Sequence, residues 1–492
     1  MIHKYQLNTP QLSLKSDLAA QFPIYIYLSE DQTYLIYTTS IEELLNYEEV
    51  ITPLTLREES ISFLLQSGIV PLPHTIYNNI FIVGIGDEAI ISTVSNKVNV
   101  KFSHHFPFKN QNRESHSKVD EKHILELLAK ASSSKLNPNT NTYLFHSAGK
   151  DSNMVALAMA EAGYQDKITC LTHQSKGAQD ESEISKKIAK QLGFKHQKLF
   201  LPQQINQTER NSIAHYFENA PLPCMDNVTL AYPLYATQIE FSKSNIIDGS
   251  GNDVYAGHIP NKTEFTKQKF LSKLHSFRTV TDKLSSSNKL RRLTLTQAEW
   301  AGISGFSFKD SQNFFKKSSN VYEYWKKESQ KRATWDYFDI RADIWGSLVE
   351  SDRVIRKSRN LASIYDANLI LPWCDEEVAS YFSKLSERQL FSRKNFKNKL
   401  ILRKILKEKV ALDSDKLGKM AFSFDFFSIL MLMEDDVKNE IITCQLWNKN
   451  NIKTLFMTLM TKSYAKKNQI LLQRLYLISA WYNKNRYIRR DT

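Results

Sequence analysis

The sequence predicts an α/β fold with a parallel sheet and a helical C-terminal part, preceded by a small strand-rich domain. Between residues 143 and 201, short apolar runs alternate with helix-forming segments, which is typical of a parallel sheet with crossover helices. Residues 23–38 instead alternate apolar and polar side chains around a polar turn, as antiparallel strands do. Residues 265–415 carry apolar side chains at helical spacing. These patterns predict four regions: a strand-rich domain, 1–108, a linker, 109–119, an α/β domain, 120–440, and a helical basic extension, 441–492.

The composition is that of a globular protein with an anionic partner. Of the 492 residues, 42% are hydrophobic and 24% are charged, which is ordinary for a folded chain with a buried core. The formal net charge of +13 would suit ATP, an acidic peptide or a nucleic acid. Because the basic residues are spread along the chain, we interpret most of them as solvated helix faces.

Nothing in the sequence predicts a membrane span, a secretion signal or a cysteine-based metal site. The most apolar run, 424–433, is about half the length that a crossing helix needs, and it contains Asp425. The first ten residues lack the apolar centre of a signal peptide. The four cysteines match no zinc or redox spacing, so we expect a cytoplasmic protein with reduced, buried thiols: Cys170, Cys224, Cys374 and Cys444.

The N-terminal domain should contain two pairs of strands and two short helices. Alternating segments and turn residues predict strands at 25–28 and 34–37, and helices at 41–45 and 56–67. Two further strands, 80–85 and 88–93, are expected to be joined by a turn at Gly86-Asp87.

The stretch Ser147-Ala-Gly-Lys-Asp-Ser152 lies between an apolar strand and an Ala-rich helix that stops at Gly163. Such a loop directs backbone N–H groups and the positive end of a helix dipole to one point, which suits phosphate. The hydroxyls of Ser147 and Ser152 add donors, and Gly149 permits close approach of the backbone. Asp151 can hold Mg²⁺ between itself and the phosphates. The loop therefore predicts a nucleotide triphosphate site of a non-Walker type.

A second loop of the same character follows a later strand. A helix at 228–241 precedes a strand that ends at Asp248, and glycines and a carboxylate follow in Gly249-Ser-Gly-Asn-Asp253. Carboxyl ends of parallel strands share one edge of a sheet, so Asp151 and Asp253 should converge on one Mg²⁺. The predicted nucleotide contacts are His146, Ser147, Gly149, Lys150, Ser152, Thr172, Asp248 and Gly249.

The two loops carry a family resemblance. Ser147–Ser152 resembles the Ser-Gly-Gly-x-Asp-Ser loop of ATP pyrophosphatases, with Ala148 in place of one glycine. The second loop resembles the asparagine synthetase motif Ser-Gly-Glu-Gly-Ala-Asp-Glu-Leu-Phe-Gly-Gly and keeps its Gly249, Gly251, Asp253 and Gly257. Ser250 and Val254 replace the two glutamates of that motif, which implies that the substrate is not aspartate.

Further segments extend the resemblance to asparagine synthetases over about 60–425. Residues 68–76 resemble the Gly-x-Val-Pro-x-Pro-x-Thr-Ile turn that ends the family's glutaminase domain. Residues 396–403 resemble its Lys-x-x-Leu-Arg helix, and 417–422 resemble its Arg-x-Lys-x-x-Phe loop. The resemblance implies that Lys419 steadies the polyphosphate and the developing charge, alongside Asp151 in the catalytic centre.

The resemblance implies an ATP- and Mg²⁺-dependent synthetase of the adenine nucleotide alpha hydrolase-like fold, without a glutaminase. The glutaminase of the family uses an N-terminal cysteine, whereas residue 2 here is Ile2 and the first cysteine is Cys170. Similar proteins that lost this cysteine, the β-lactam synthetases and lasso-peptide cyclases, close rings. We therefore expect adenylation of a carboxylate and intramolecular amide formation in a peptide or small natural product. A precursor peptide and a processing protease are the expected partners.

Three other interpretations stay open at the level of sequence. The chain could be an amidotransferase that takes free ammonia or the ammonia of a partner. The basic charge also suits a tRNA-modifying ATP pyrophosphatase, although the loops at 249–257 and around Lys419 argue against it and make a nucleic acid partner an unfavoured choice. The substitutions Ala148, Ser250 and Val254 are compatible with a catalytically inactive scaffold.

Overall fold

A computed structural model describes residues 1–488 apart from 53, 115–117, 175–180, 285–287, 303–304 and 418–423. Side chains are not described for residues 283–289. Within these described residues, no helix has the length and apolar character required to cross a membrane.

Two antiparallel sheets form the N-terminal region and enclose a small core between them. One sheet has the strand order β1-β4-β3-β5 and the other β2-β6-β7. Leu14 of β2 and Ile26 of β3 meet in the core between the sheets. The strands are β1 (His3–Gln6), β2 (Leu12–Lys15), β3 (Ile24–Leu28), β4 (Tyr34–Thr38), β5 (Ile80–Val83), β6 (Asp87–Val94) and β7 (Lys97–His104), and the helices are α1 (Ile41–Leu45), α2 (Glu48–Ile51) and α3 (Glu58–Gln66).

The turn at Gly86-Asp87 does not join a hairpin, which corrects the expectation from the sequence. β5 pairs with β3, whereas β6 pairs with β2 and β7, so the chain crosses from one sheet to the other at this point. Gly86 has a φ of 74°, and a Cβ there would lie 2.7 Å from the carbonyl oxygen of His105. A glycine is needed because the crossing backbone is tightly packed and left-handed.

A five-stranded, fully parallel sheet forms the centre of the molecule, as the alternation of strands and helices predicts. Its strand order is β10-β9-β8-β11-β12. The chain moves outward from β8 through β9 to β10 and then returns to the other side of β8 as β11. The elements are α4 (Glu121–Ser133), β8 (Thr142–Phe145), α5 (Lys150–Glu161), β9 (Ile168–His173), α6 (Ser182–Gln191), β10 (Lys195–Leu199), α7 (Gln207–Asn219), α8 (Ala231–Tyr235), β11 (Asn245–Asp248) and β12 (Asn368–Ile370).

The predicted helix at 228–241 is much shorter than expected. Only α8, Ala231–Tyr235, is helical, and it contains Pro233. Proline lacks the N–H that a helix interior uses, so it limits the helix to about one turn around itself. Tyr235, at the end of α8, and Asp226, which precedes it, line the cavity described below.

Helices make up most of the chain after β11. A π-helix, Ile344–Ile355, interrupts them and lies close to the second glycine loop. Helices α21 to α24 share one apolar core with α3, α7 and α8, so the C-terminal extension packs onto both earlier regions. These elements are α9 (Asp253–Ala256), α10 (Lys262–Leu271), α11 (Arg278–Leu284), α12 (Asn288–Leu293), α13 (Phe308–Phe314), α14 (Tyr322–Lys331), α15 (Tyr337–Asp343), α16 (Arg356–Ile364), α17 (Glu376–Lys384), α18 (Glu387–Leu390), β13 (Phe391–Ser392), β14 (Lys397–Asn398), α19 (Leu400–Val410), α20 (Ser414–Leu417), α21 (Phe426–Leu432), α22 (Glu434–Thr443), α23 (Lys449–Thr461) and α24 (Lys466–Lys484).

Candidate active site

A cavity of about 320 Å³ opens at the carboxyl ends of β8, β9 and β11. The sheet order reverses between β8 and β11, where Phe145 lies opposite Asp248. Such a switch point is where ligands bind on open parallel sheets, because the loops on its two sides diverge and leave a crevice. Both predicted glycine loops line this cavity through Ser147, Gly149, Asp151, Ser152, Asp248, Gly249 and Ser250.

The first loop is held in shape by its own hydroxyl groups. The backbone N–H of Ser147 donates to Oγ of Ser152 at 3.2 Å, and the N–H of Gly149 donates to Oγ of Ser147 at 3.0 Å. The N–H of Ala148 donates to the buried Glu181 carboxylate at 3.0 Å. Helix α5 starts at Lys150 with Gly149 as its N-cap, and no side chain caps it. The first-turn N–H groups of α5 are therefore left for an anion.

The second loop lies directly against the first, and Gly249 is the point of contact. A Cβ on Gly249 would lie 2.9 Å from both N and Cα of Ser152, a distance that real Cβ atoms do not adopt. Gly251 has a φ of 112°, and a Cβ there would lie 2.3 Å from Sγ of Cys374. Gly249 is required because the backbones of the two loops approach closely, and Gly251 is required because its backbone is left-handed.

Asp151 and Asp253 converge as the sequence predicted, and a buried lysine lies between them. Nζ of Lys399 is 2.7 Å from Oδ2 of Asp151 and 2.7 Å from Oδ1 of Asp253. The same ammonium donates to Oδ1 of Asn252 at 2.7 Å. Burial disfavours the charged lysine, but the two carboxylates outweigh it and raise its pKa. Lys399 therefore stays protonated and partly neutralises the pair.

The remaining oxygens of the two carboxylates also accept hydrogen bonds. Oδ1 of Asp151 accepts from the Asn252 amide at 2.8 Å. Oδ2 of Asp253 accepts from Nε1 of Trp345 at 3.2 Å and lies 3.1 Å from Nδ1 of His258. Burial lowers the pKa of His258 to about 4, so a neutral ring donates to Asp253 and accepts from Arg341. Burial alone would raise the pKa of Asp253, but Lys399 and His258 hold it well below the usual value.

While Lys399 lies between Asp151 and Asp253, the position midway between the two carboxylates is not open to a shared Mg²⁺ ion. Their donor chemistry is the kind that Mg²⁺ prefers, but all four carboxylate oxygens are engaged and the ammonium of Lys399 takes the central place. Among the residues that the structure describes, no three His, Cys, Asp or Glu side chains form a metal-binding group. The magnesium contact of Asp151 and Asp253 stays a prediction.

A second buried acid lies behind the second loop. Oε1 of Glu350, on the π-helix, accepts from the N–H of Gly251 at 2.9 Å, and Glu350 is 4% exposed. Burial and the nearby charge of Asp253 raise its pKa well above the usual value. The loop in which Ser250 replaces a glutamate of the family motif therefore has a carboxyl group beside it, supplied from a different element.

The other predicted nucleotide contacts lie at different depths. His146 lines the cavity, but its ring bonds to Asn153 at 3.0 Å and to Ser185 at 2.7 Å, and burial lowers its pKa to about 4. Thr172 is fully buried and contacts Ser185 at 2.8 Å. Its neighbours along β9, Leu171 and His173, line the cavity instead.

Of the two predicted lysines, Lys150 and Lys419, only Lys150 is among the described residues. Burial, with the charge of Arg403, lowers the pKa of Lys150 to about 8; Lys150 begins α5 and does not line the cavity. Lys419 lies outside the described residues, so its role stays a prediction.

Sequence reasoning missed Lys399 and Glu350 as members of the site. Lys399 is the first residue of the Lys-x-x-Leu-Arg segment, and the family resemblance alone assigns no role to that lysine. Its φ of 54° is left-handed, which is uncommon for a lysine. Glu350 carried no signal, because it follows apolar residues in a segment that reads as an ordinary helix.

These features define a protein of the parallel α/β class, with a cavity at the switch point of its sheet. A family model for asparagine synthase matches residues 123–427, which is more than half of the chain, and the chain therefore belongs to that family. No curated protein sequence is similar enough to the chain to count as a match. Members of the family are ATP-dependent ligases that form C–N bonds, so ATP use and C–N bond synthesis are the general activity that the membership supports.

Proposed function

We propose that this protein adenylates a substrate carboxylate and then closes an amide bond within the same peptide or small natural product. A carboxylate oxygen attacks the α-phosphorus of ATP, and pyrophosphate leaves. The substrate amine then attacks the acyl carbon, AMP leaves with the bonding electron pair, and the amine nitrogen loses a proton. The products are the amide, AMP and pyrophosphate.

The observation that carries the proposal is the contact between the two glycine loops at the switch point. The free N–H groups that begin α5 and the hydroxyls of Ser147 and Ser152 suit the phosphates. A carboxylate at the same wall would repel a triphosphate, and Asp151 lines the cavity. Lys399 offsets that repulsion, since its ammonium is fixed and desolvated before the nucleotide arrives.

An intramolecular amine is favoured because, among the described residues, no exposed cysteine is available to release ammonia from glutamine. The N-terminal domain contains no cysteine, and the four cysteines of the chain are all buried. The domain instead packs its helix α3 against the helical C-terminal part, which is a structural use. Holding both reacting groups of one substrate in a closed site would supply much of the rate.

The test is incubation with ATP, Mg²⁺ and a library of peptides that carry aspartate or glutamate, followed by nucleotide analysis and mass spectrometry. The proposal expects AMP and pyrophosphate, together with a product that has lost one water. Ammonia-dependent amidation of a candidate acid, with no cyclic product, would replace the proposal with an amidotransferase. No exchange of labelled pyrophosphate into ATP with any member of the library would favour the inactive scaffold.

A further inference from the structure

The segment from α10 to α12 buries several polar side chains and exposes several large apolar ones. Along the helical run 262–284, Phe270, Leu274, Phe277 and Val280 are 65%, 41%, 59% and 54% exposed. Their spacing of three to four residues places them on one face. In α12, Leu290 and Leu293 are each 42% exposed. We call these six residues the outer apolar face.

The opposite side of the same run is buried and polar. Gln268, Ser272, Arg278 and Asp282 are between 3% and 6% exposed. Nε of Arg278 donates to Oδ1 of Asp282 at 2.8 Å, and its Nη1 donates to the backbone oxygen of Arg291 at 3.4 Å. This bond joins α11 to α12, so the outer apolar face spans two neighbouring segments. The pattern is the reverse of that of an ordinary surface helix, whose apolar stripe faces the core.

Within this segment, the exposed charges that the structure describes are positive. Among the residues of 262–293 whose side chains the structure describes, the exposed ionisable ones are basic: Lys262, Lys267, Lys269, Lys273 and Arg292. The two carboxylates there, Glu264 and Asp282, are turned inward to Arg341 and Arg278. Large apolar side chains interleaved with lysines are the pattern of a helix that lies in a membrane interface.

We propose that the outer apolar face binds a membrane surface that contains anionic lipids. The phenylalanines and leucines enter the acyl boundary, and the lysines contact the lipid phosphates. A second copy of the chain is a poorer occupant, because a two-fold interface would set the same five cations against one another. A protein groove that takes one helix would cover a single stripe, whereas this face spans two segments. The sequence predicted no membrane partner because no segment spans a bilayer, and a surface helix needs no spanning segment.

The test is co-sedimentation of the full chain with vesicles of roughly seven parts phosphatidylcholine to three parts phosphatidylglycerol, beside vesicles of phosphatidylcholine alone. The proposal expects binding to the anionic vesicles only. It also expects binding to weaken about tenfold when NaCl rises from about 0.1 to about 0.5 M, because the lysine contacts are screened. Equal binding to both vesicle types, or binding to neither, overturns the proposal.

Two matched pairs of variants distinguish vesicle binding by the outer apolar face from nonspecific binding by other exposed side chains. The double variant Phe270→Ser/Phe277→Ser should weaken binding at least about tenfold, whereas Phe22→Ser/Phe200→Ser should not change it. Phe22 and Phe200 are 54% and 55% exposed and lie elsewhere on the chain. Likewise, Lys267→Glu/Lys273→Glu should abolish binding, and Lys449→Glu/Lys453→Glu, which changes exposed lysines of α23, should not.

Two outcomes would assign the face otherwise. If both phenylalanine pairs reduce vesicle binding equally, the face has no special role and the proposal fails. If the chain forms a concentration-dependent dimer that Phe270→Ser/Phe277→Ser dissociates, a second copy covers the face and the proposal is overturned. Circular dichroism and the thermal midpoint of each variant show that a loss of binding is not a loss of fold. Because the substituted side chains are exposed, all four variants should fold.

Discussion

Two cations of this protein are each held between two carboxylates from distant parts of the chain, and their surroundings differ. Lys399 lies between Asp151 and Asp253, at the edge of the candidate site. His104 lies between Asp87, at 2.7 Å, and Asp343, at 2.9 Å, where the N-terminal domain meets the helical part. Both Lys399 and His104 are positively charged beside their carboxylates, so charge alone does not distinguish a ligand-binding site from a contact between domains.

The backbone and the neighbours distinguish them. His104 ends a regular strand, and its partner Asp343 also binds the buried Arg332 and Ser347, so that network is occupied by the protein itself. Lys399 has a left-handed backbone, and its partner Asp151 lines the cavity beside open N–H groups. A left-handed backbone in a residue other than glycine costs about 1–3 kcal/mol and persists only where the surrounding structure holds the residue in place. We infer that the network around Lys399 serves ligand binding and that the network around His104 attaches the N-terminal domain to the helical part.

The largest expected effect is that of Lys399→Met. Removing the ammonium leaves two buried carboxylates without their cation, which should cost about 3–5 kcal/mol of stability and at least about 100-fold in ATP affinity. The matched control is Lys404→Met on the same helix, because Lys404 is 57% exposed and its pair with Glu121 is a surface pair. Thermal unfolding and ATP calorimetry check both variants. Unchanged ATP affinity in Lys399→Met would remove the functional assignment of this network.

The next effect is that of Gly249→Ala. The added methyl would lie 2.9 Å from the backbone of Ser152, so the two loops must separate and ATP affinity should fall about tenfold or more. Gly163→Ala is the control: it has a φ of 81° and open space around it, so it should cost about 1 kcal/mol of stability and leave ATP binding intact. Equal ATP affinities in the two variants would contradict the contact between the loops as the basis of the site.

The variant His104→Gln tests whether the network of His104, Asp87 and Asp343 makes the stability of the protein depend on pH. Burial lowers the pKa of His104, but Asp343 and Asp87 outweigh it and raise the pKa to about 10, above the ordinary 6.5. The pair therefore stabilises fully below pH 6.5, and its contribution is lost as the pH rises toward 10. Urea midpoints at several pH values between these limits should fall more steeply for the wild type than for His104→Gln. Parallel pH profiles would show that His104 is not the linking charge.

The smallest effect is that of Trp345→Phe. The change removes one N–H donor from Asp253 and weakens the stack on His258, whose ring centroid lies 3.8 Å from that of Trp345. A loss of about 1 kcal/mol in stability and a few-fold in ATP affinity is expected. Trp300→Phe is the control, because Nε1 of Trp300 is buried without a hydrogen-bond partner among the described residues. If Trp300→Phe has the larger effect on ATP affinity, the support of Asp253 by Trp345 is contradicted.

The sequence predicted the two glycine loops and the sheet edge that they share, because each loop is a local signal that follows a recognisable strand. It did not predict Lys399, which lies 248 residues from Asp151, since side-chain periodicity says nothing about such distant contacts. Strands β1, β2 and β7 were missed in the same way. β2 and β7 pair with β6, and the turn that joins β6 to β7 uses the left-handed Ser95 and Asn96 in place of an Asn-Gly signal.

The buried polar side of α10 and α11 also escaped prediction. A pattern of apolar residues at helical spacing indicates which face is apolar, and the usual inference is that this face is inside. Here Arg278 and Asp282 form an inward ion pair, and the apolar residues face out. The residue pattern of one segment cannot show which of its faces is buried, because that depends on charges supplied by other segments, such as Glu299, which pairs with Arg278.

The most direct test of the central claim is a calorimetric titration of ATP into the wild-type protein and into Lys399→Met and Gly249→Ala. We expect one site per chain in the wild type and a marked loss of affinity in both variants, with the ATP affinity of Lys404→Met and Gly163→Ala unchanged. Absence of ATP binding in the folded wild type, or binding that neither substitution weakens, would contradict a nucleotide site at the switch point of this sheet.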